Sequence, residues 1–266
     1  MNQLLFQLVF NESANAWQAV PECARAHGKR ASRAARSVVA LGLLASMLPA
    51  VADPARNAMP VPRLDFVSRG SVSAPVVSGN RMLIEQQSDK AVVNWASFNI
   101  GADATVQFSQ PSSTAAILNR IWDANPSQIN GHLLANGQVY LINRNGILFG
   151  EGAQVNVGGL VASALNINDD LFEQGFLSNG RAGDNPAFFF DPNYDGSAAA
   201  DAQAKFQAAK VVVGKGATIE SVDGGRVMLL APSVDVAGKV STPGGQAVIA
   251  AGAKVYLAAS ENENLR

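Results

Sequence analysis

An all-β fold built from many short strands is the architecture that this sequence predicts, and three observations support it. Runs of four or five apolar residues recur along the chain, and Gly, Asn, Asp or Pro bounds each run, which is typical of short strands. The composition of 24 glycines, 48% hydrophobic residues and only 15% charged residues suits tight turns and excludes a disordered chain. The third observation is that similar strand entries recur at a spacing near 20 residues.

The predicted strands follow one another from residue 64 to the end of the sequence. The clearest lie at residues 91–95, 105–108, 139–142, 146–149, 211–213, 226–230 and 254–257. Residues 137–141, 225–229 and 245–249 look like one strand entry used three times, and the last two lie 20 residues apart. A parallel β-helix, in which short strands coil around one axis, produces such a recurrence. An antiparallel sandwich also uses many short strands, so the residue pattern alone leaves both architectures open.

The first 52 residues have the features of an export leader. A basic segment at residues 29–36 precedes an apolar run at residues 37–51, and Ala50 and Ala52 form an A-x-A cleavage site. The apolar run is shorter than the roughly 20 residues that span a membrane. A buried core helix is the other interpretation of this run. We expect a signal peptide cleaved after Ala52, so that the mature chain begins at Asp53 and lacks the single cysteine, Cys23.

One segment interrupts the strand pattern. Residues 181–209 begin with turn residues and an aromatic cluster at residues 188–190. They continue into an Ala-rich stretch from Ser197 to Ala209 that predicts a short helix with Ser197 or Asp201 as its N-cap. We interpret the segment as an excursion from the strand-built body. Its aromatic residues either cover an open edge of the body or form a contact surface.

The composition offers little material for catalysis, metal binding or nucleic-acid binding. The mature chain has one histidine, His132, which is more typical of a turn than of a catalytic triad. Residues 168–170 and 191–196 are acidic, but neither has the spacing of an EF-hand loop, so turns are favoured over calcium sites. The leader carries five of the 20 basic and two of the 21 acidic residues, so the mature chain has a net charge of −4. We therefore expect no enzyme activity, no cofactor, no metal and no nucleic-acid partner.

A motif region at residues 119–150 resembles a known family of secretion domains. It contains Asn119-Arg120-Ile121, and after residue 130 the run Gly137-Gln138-Val139-Tyr140-Leu141-Ile142-Asn143-Arg144-Asn145-Gly146-Ile147. This run resembles the G-Q-V-F-L-I and N-P-N-G-I motifs of two-partner-secreted, filamentous-haemagglutinin-like exoproteins, with Arg144 in place of proline. Residues 93–100 and 158–163 match segments on either side. The second family motif, N-P-N-L, has only a partial counterpart at residues 125–128, which favours the high-molecular-weight adhesin branch.

The leader also resembles a family feature, the extended signal peptide region of very large Gram-negative exported proteins. The matching residues are Met1, Asn2, Phe6, Val9, Phe10, Asn11, Trp17, Glu22, Gly28 and Lys29. Together the two resemblances imply residues 1–52 as an extended Sec signal peptide. They imply residues 53–266 as a right-handed parallel β-helix with an N-terminal cap and a short insertion.

The resemblance implies a secretion domain of a large adhesin that is carried through the periplasm to the cell surface of a Gram-negative bacterium. The implied partners are the Sec machinery, an outer-membrane β-barrel transporter with POTRA-type periplasmic domains, and a host-cell or carbohydrate receptor that a passenger region would bind. The implied recognition residues are Asn119, Arg120, Asn143, Asn145, Gly146 and Ile147. Asn143 and Asn145 also have a structural interpretation, as residues that cap strand ends in a stack of asparagines from adjacent coils.

Two other functions remain open at this point. The same secretion domain could deliver a toxin instead of an adhesin, since the passenger defines that difference. A β-helical polysaccharide-degrading enzyme is the alternative from another class, but the predicted strands carry few acidic residues. The sequence ends soon after a predicted strand, so a truncated product, a fragment and a short exoprotein are all consistent with it.

Overall fold

The computed structural model describes residues 6–11, 16–21, 53–167, 169–174, 186–191 and 201–257. The chain divides into two units, Met1–Pro49 and Ala50–Arg266. In the first unit, β1 (Phe6–Asn11) pairs with β2 (Ala16–Pro21) in an antiparallel hairpin. The predicted basic segment, apolar run and cleavage alanines, Ala50 and Ala52, lie outside the described residues, whereas Asp53 lies within them.

The second unit is a solenoid whose strands stack into three parallel sheets. The first sheet contains β5 (Arg81–Glu85), β7 (Thr105–Ser109), β10 (His132–Ala135), β13 (Gln154–Val157), β18 (Thr218–Ser221) and β21 (Lys239–Ser241). The second contains β6 (Lys90–Ser97), β8 (Ala116–Ile121), β11 (Gln138–Ile142), β14 (Gly159–Ser163), β19 (Arg226–Ala231) and β22 (Gln246–Ala251). The third contains β9 (Ser127–Ile129), β12 (Ile147–Phe149), β17 (Lys210–Val213) and β20 (Ser233–Val236).

The chain winds through six coils, and each coil from the second to the fifth contributes one strand to each sheet in turn. In the first coil a single bridge between Ile100 and Ile129 stands in for the third strand. The predicted parallel β-helix is therefore confirmed, and the antiparallel sandwich is wrong. The three similar strand entries at residues 137–141, 225–229 and 245–249 belong to strands of the second sheet, as one coil per repeat requires.

Two antiparallel strands form the N-terminal cap that the resemblance implied. Strand β3 (Val61–Arg69) pairs with β6, and β4 (Val76–Ser78) pairs with β5. Both pairings place an antiparallel strand beside the first coil. Antiparallel strands at this end stop the parallel stacking, because their direction does not repeat that of the coils.

The core lies inside the solenoid and consists of rows of aliphatic residues stacked from coil to coil. One row on the second sheet runs through Ile117, Val139, Leu160 and Val227, which are registered partners and at most 1% exposed. Burying an aliphatic side chain of this size contributes about 1.5–3 kcal/mol. The described mature residues contain no cysteine, so this core and the strand ladders hold the coils together.

The excursion leaves the solenoid after β14 and returns at β17, and it begins before residue 181, where the sequence placed its start. Its described elements are β15 (Asn166–Ile167), α1 (Asp169–Gln174), β16 (Phe188–Phe189) and α2 (Ala202–Ala208). Helix α2 lies within the predicted helix. Asp201 occupies its N-cap position without a side-chain capping bond, and Ser197 lies outside the described residues. Helix α1 corrects the prediction of a turn, because Asp169 and Asp170 form its first turn.

Candidate functional site

The Asn143–Ile147 motif forms a tight turn that joins β11 to β12. The Gly146 backbone N–H donates to the Asn143 carbonyl at 2.9 Å, which closes the turn. The Asn145 backbone N–H donates to Asn143 Oδ1, also at 2.9 Å, so the asparagine side chain completes a second ring within the turn. Asparagine favours this arrangement because its side-chain carbonyl can accept a hydrogen bond from a backbone N–H two residues later.

The Asn143 side chain is fully buried and binds the preceding coil. Its Nδ2 donates to the carbonyl of Asn125 at 3.1 Å and to Ser127 Oγ at 3.0 Å. These two acceptors belong to the partial counterpart of the second family motif, residues 125–128. The two motif segments, separated in sequence, therefore contact each other across adjacent coils.

Asn145 reinforces the same contact from a half-buried position. Its Nδ2 donates to the carbonyl of Asp123 at 2.7 Å. The asparagine stack that we expected is not what the structure shows at this turn. Asn143 and Asn145 instead bind two backbone carbonyls and one serine hydroxyl of the preceding coil.

Gly146 and Ile147 connect the turn to the following coil. Gly146 has φ +113°, and a Cβ built on it would lie 2.6 Å from the Lys210 carbonyl oxygen. Glycine is therefore required here both by the backbone angle and by the close approach of the next coil. Ile147 is fully buried and pairs with Ser127 below and Val211 above. Arg144, which replaces the family proline, lines a small recess with Ile121 and Asp191.

Asn119 and Arg120 are neighbours in β8 but do not share the motif turn. Asn119 points into the core, where its Oδ1 accepts a 2.9 Å hydrogen bond from Trp95 Nε1 and its Nδ2 donates to the Tyr140 carbonyl at 3.1 Å. Sequence reasoning missed Trp95 as its partner, although the aromatic residue lay in a segment already matched to the family. Trp95 also packs edge-on against Phe66 and Phe98, so Asn119 satisfies a polar atom within an aromatic cluster.

Arg120 points to the outside of the second sheet and holds the excursion. One guanidinium nitrogen donates to Asn166 Oδ1 at 2.9 Å, and another forms an ion pair with Asp169 at the start of α1. The arginine side chain is only 10% exposed. The implied recognition residues thus occupy three environments: the turn, the core and the outer face beneath the excursion.

The described residues offer neither a metal cluster nor a membrane helix. No group of three or more His, Cys, Asp or Glu side chains in these ranges is placed to hold a metal ion. Within the same ranges, no helix has the length and apolar character to cross a membrane. His132 lies exposed in strand β10, which corrects its prediction as a turn residue.

Two family models match the chain. The model described as TPS secretion domain, in which TPS denotes two-partner secretion, matches residues 67–265. The chain belongs to this family. A second model, described as the extended signal peptide of the type V secretion system, matches residues 1–50. These matches confirm the resemblance that the motif region and the leader carried. They also place the protein on the export route to the cell surface of Gram-negative bacteria.

Similar proteins agree with the family assignment. A heme/hemopexin-binding protein of Haemophilus influenzae is 44% identical over 98 residues, covering 37% of this chain and 11% of that protein. Another from strain KW20 Rd is 36% identical over 131 residues, covering 49% of this chain and 14% of that protein. The crystal structure of the HMW1 secretion domain of H. influenzae matches with a TM-score of 0.57 and 32% identity. This match covers 71% of this chain and 44% of the HMW1 chain. The matched regions thus span a small part of the curated relatives.

Proposed function

We propose that this chain starts the export and folding of a large surface adhesin. In this proposal the leader directs Sec export, and the unfolded mature N-terminus binds the POTRA-type periplasmic domains of an outer-membrane β-barrel transporter. The chain then folds outside as a β-helix whose coils form in order. The observation that carries the proposal is the TPS secretion domain match over residues 67–265, which includes the whole motif turn.

The solenoid geometry supports a role in starting β-helix folding. A folded coil offers the next one a row of inward apolar side chains and a strand edge. The row through Leu141 and Leu229 continues into Ile249 of β22, where the side chain is 53% exposed. Among the described residues, β22 is the end strand of the second sheet, and an exposed apolar side chain on such a strand is favourable for adding another parallel strand. Each coil can therefore act as a template without nucleotide hydrolysis.

The passenger is a separate part of the proposal. The proteins with heme/hemopexin-binding names share only a stretch of 98 or 131 residues with this chain, so their similarity supports shared secretion rather than a shared ligand. We propose adhesion through a passenger region that binds a host-cell or carbohydrate receptor. Delivery of a toxin by the same domain is the alternative. We propose no catalytic role for the secretion domain itself.

Co-expression with a two-partner-secretion transporter from the same genome tests the mechanism. The mature chain is expected in the medium when the transporter is present and in the periplasm when it is absent. Asn143→Ala and Asn145→Ala should lower the secreted yield several-fold. The matched control is Asn156→Ala, since Asn156 is an exposed asparagine of β13 one coil away. Equal secretion without any transporter would disprove the proposed partner.

A further inference from the structure

The outer face of the second sheet is apolar, which is unusual for a surface that faces away from the solenoid core. Eight of its residues belong to one buried cluster: Val92, Ala116, Leu118, Tyr140, Ile142, Val161, Met228 and Leu230. A sheet with apolar residues on both faces needs a cover, because large exposed apolar patches are unfavourable in water.

The excursion supplies this cover. Its residues Leu165, Ile167, Phe172 and Phe188 are buried in the same cluster, and Phe188 is fully buried. The rings of Tyr140 and Phe172 meet edge-to-face, with centroids 5.1 Å apart. Phe188 and Phe190 of the aromatic cluster therefore pack against the face of a sheet, and not against an open coil edge.

Basic side chains from the N-terminal cap and the first coils hold the near end of the cover. Lys90 Nζ donates to the Phe172 carbonyl at 3.1 Å, and Arg69 lies 3.6 Å from a Glu173 carboxylate oxygen. Together with the Arg120–Asp169 ion pair, these contacts join α1 to β3, β6 and β8. The N-terminal end of the solenoid thus binds a segment that leaves it at the fourth coil.

The far end of the cover is held by residues beyond the sixth coil. Strand β16 pairs on one edge with β15 and on the other with β23 (Lys254–Val255), both antiparallel. The Ala187 backbone N–H donates to the Val255 carbonyl at 2.9 Å, and the Phe190 N–H donates to the Ala253 carbonyl at 2.8 Å. Strand β16 can therefore have both of its edges paired only when residues 253–255 have folded beside it.

We propose that β15, α1, β16 and β23 form a strap that closes only after the sixth coil and couples the last coil to the first. Before closure, the apolar outer face of the second sheet is exposed. After closure, β23 pairs with β16, Phe188 of β16 packs against the outer face of the second sheet, and α1 binds its basic partners from the cap and the first coils. The order of closure during export rests on the proposed function, whereas the coupling itself is a property of the folded chain.

Hydrogen exchange on the purified mature chain, residues 53–266, tests the strap without any transporter. During refolding from urea, pulse labelling should protect the amides of β8, β11 and β14 before those of α1 and β16. In a Val255→Pro variant, in which proline disrupts the two-residue strand, exchange at α1 and β16 should be at least tenfold faster while β11 is unchanged. Val77→Pro, in the edge strand β4, is the matched control and should leave α1 and β16 unchanged.

A disulfide across the strap tests the same coupling in the opposite direction. Phe189 and Lys254 are registered partners, and the mature chain has no native cysteine, so Phe189→Cys with Lys254→Cys yields a single bridge. The oxidised protein should exchange the α1 amides at least tenfold more slowly than the same protein reduced. The strap would be overturned if the amides of β16 became protected as early as those of β11 during refolding. It would also be overturned if neither Val255→Pro nor the disulfide changed the exchange of the α1 amides. Neither result would bear on whether a transporter secretes the chain.

Discussion

Replacing Asn143 by alanine separates the structural role of this residue from a role in recognition. The side chain donates two hydrogen bonds, to the Asn125 carbonyl and Ser127 Oγ, and accepts one from the Asn145 N–H. Each bond contributes about 1 kcal/mol net. Because the site is fully buried, water does not replace the lost partners, and we expect Asn143→Ala to lower the free energy of unfolding by about 3 kcal/mol.

Equilibrium urea denaturation of the mature chain measures this loss directly. A change of about 3 kcal/mol corresponds to roughly a hundredfold larger unfolding constant. The control is Asn156→Ala, whose exposed side chain should cost less than about 0.5 kcal/mol. The slope of the denaturation curve should be the same for the unaltered chain, Asn143→Ala and Asn156→Ala. Equal slopes would indicate that their folded and unfolded states are otherwise comparable.

The same variants, assayed for secretion with the transporter, decide between the two roles. If Asn143→Ala loses stability and secretion together, the turn acts by holding the coils. A variant that keeps its stability within about 0.5 kcal/mol and still fails to be secreted would refute the structural reasoning. The asparagine would then act by direct contact with the transporter.

Three further changes test other parts of the structure. Gly146→Ala should cost about 2 kcal/mol or more in urea denaturation, because φ is +113° and its Cβ would meet the Lys210 carbonyl; no loss would contradict this. Burial raises the pKa of Tyr140 to about 12, so the unfolded chain ionises first; stability should fall by up to about 1.4 kcal/mol per pH unit from pH 10 to 12. Tyr140→Phe should remove the contribution of Tyr140 to this pH dependence, and an unchanged slope of stability against pH in the variant would contradict the prediction. Asn119→Ala should cost about 1–3 kcal/mol and shift Trp95 fluorescence by leaving its indole N–H unpaired, whereas an unshifted spectrum would deny the contact.

The local features of the fold were accessible from the sequence because they depend on neighbouring residues. Short apolar runs bounded by turn residues predict strands, and the runs at residues 139–142 and 226–230 became β11 and β19. The turn chemistry of Asn143 and Gly146 could also be predicted, since an asparagine side chain and a glycine backbone act within two or three residues. The leader and the family were identified from motifs of the same local kind.

The sequence by itself therefore determined short strands, an export leader and a motif region, and the resemblance of that motif region to a known family implied the coil. Only the tertiary structure decided that Asn119 faces the core while Arg120 faces outward. It alone showed that Asn143 binds the loop of the preceding coil and that an apolar outer face lies beneath the excursion. Those features depend on register between coils and on partners such as Phe188 and Val255, which are far apart along the chain. A periodic sequence pattern indicates which residues can form strands. The stacking of the coils determines whether each side chain of a strand faces the core or the outside.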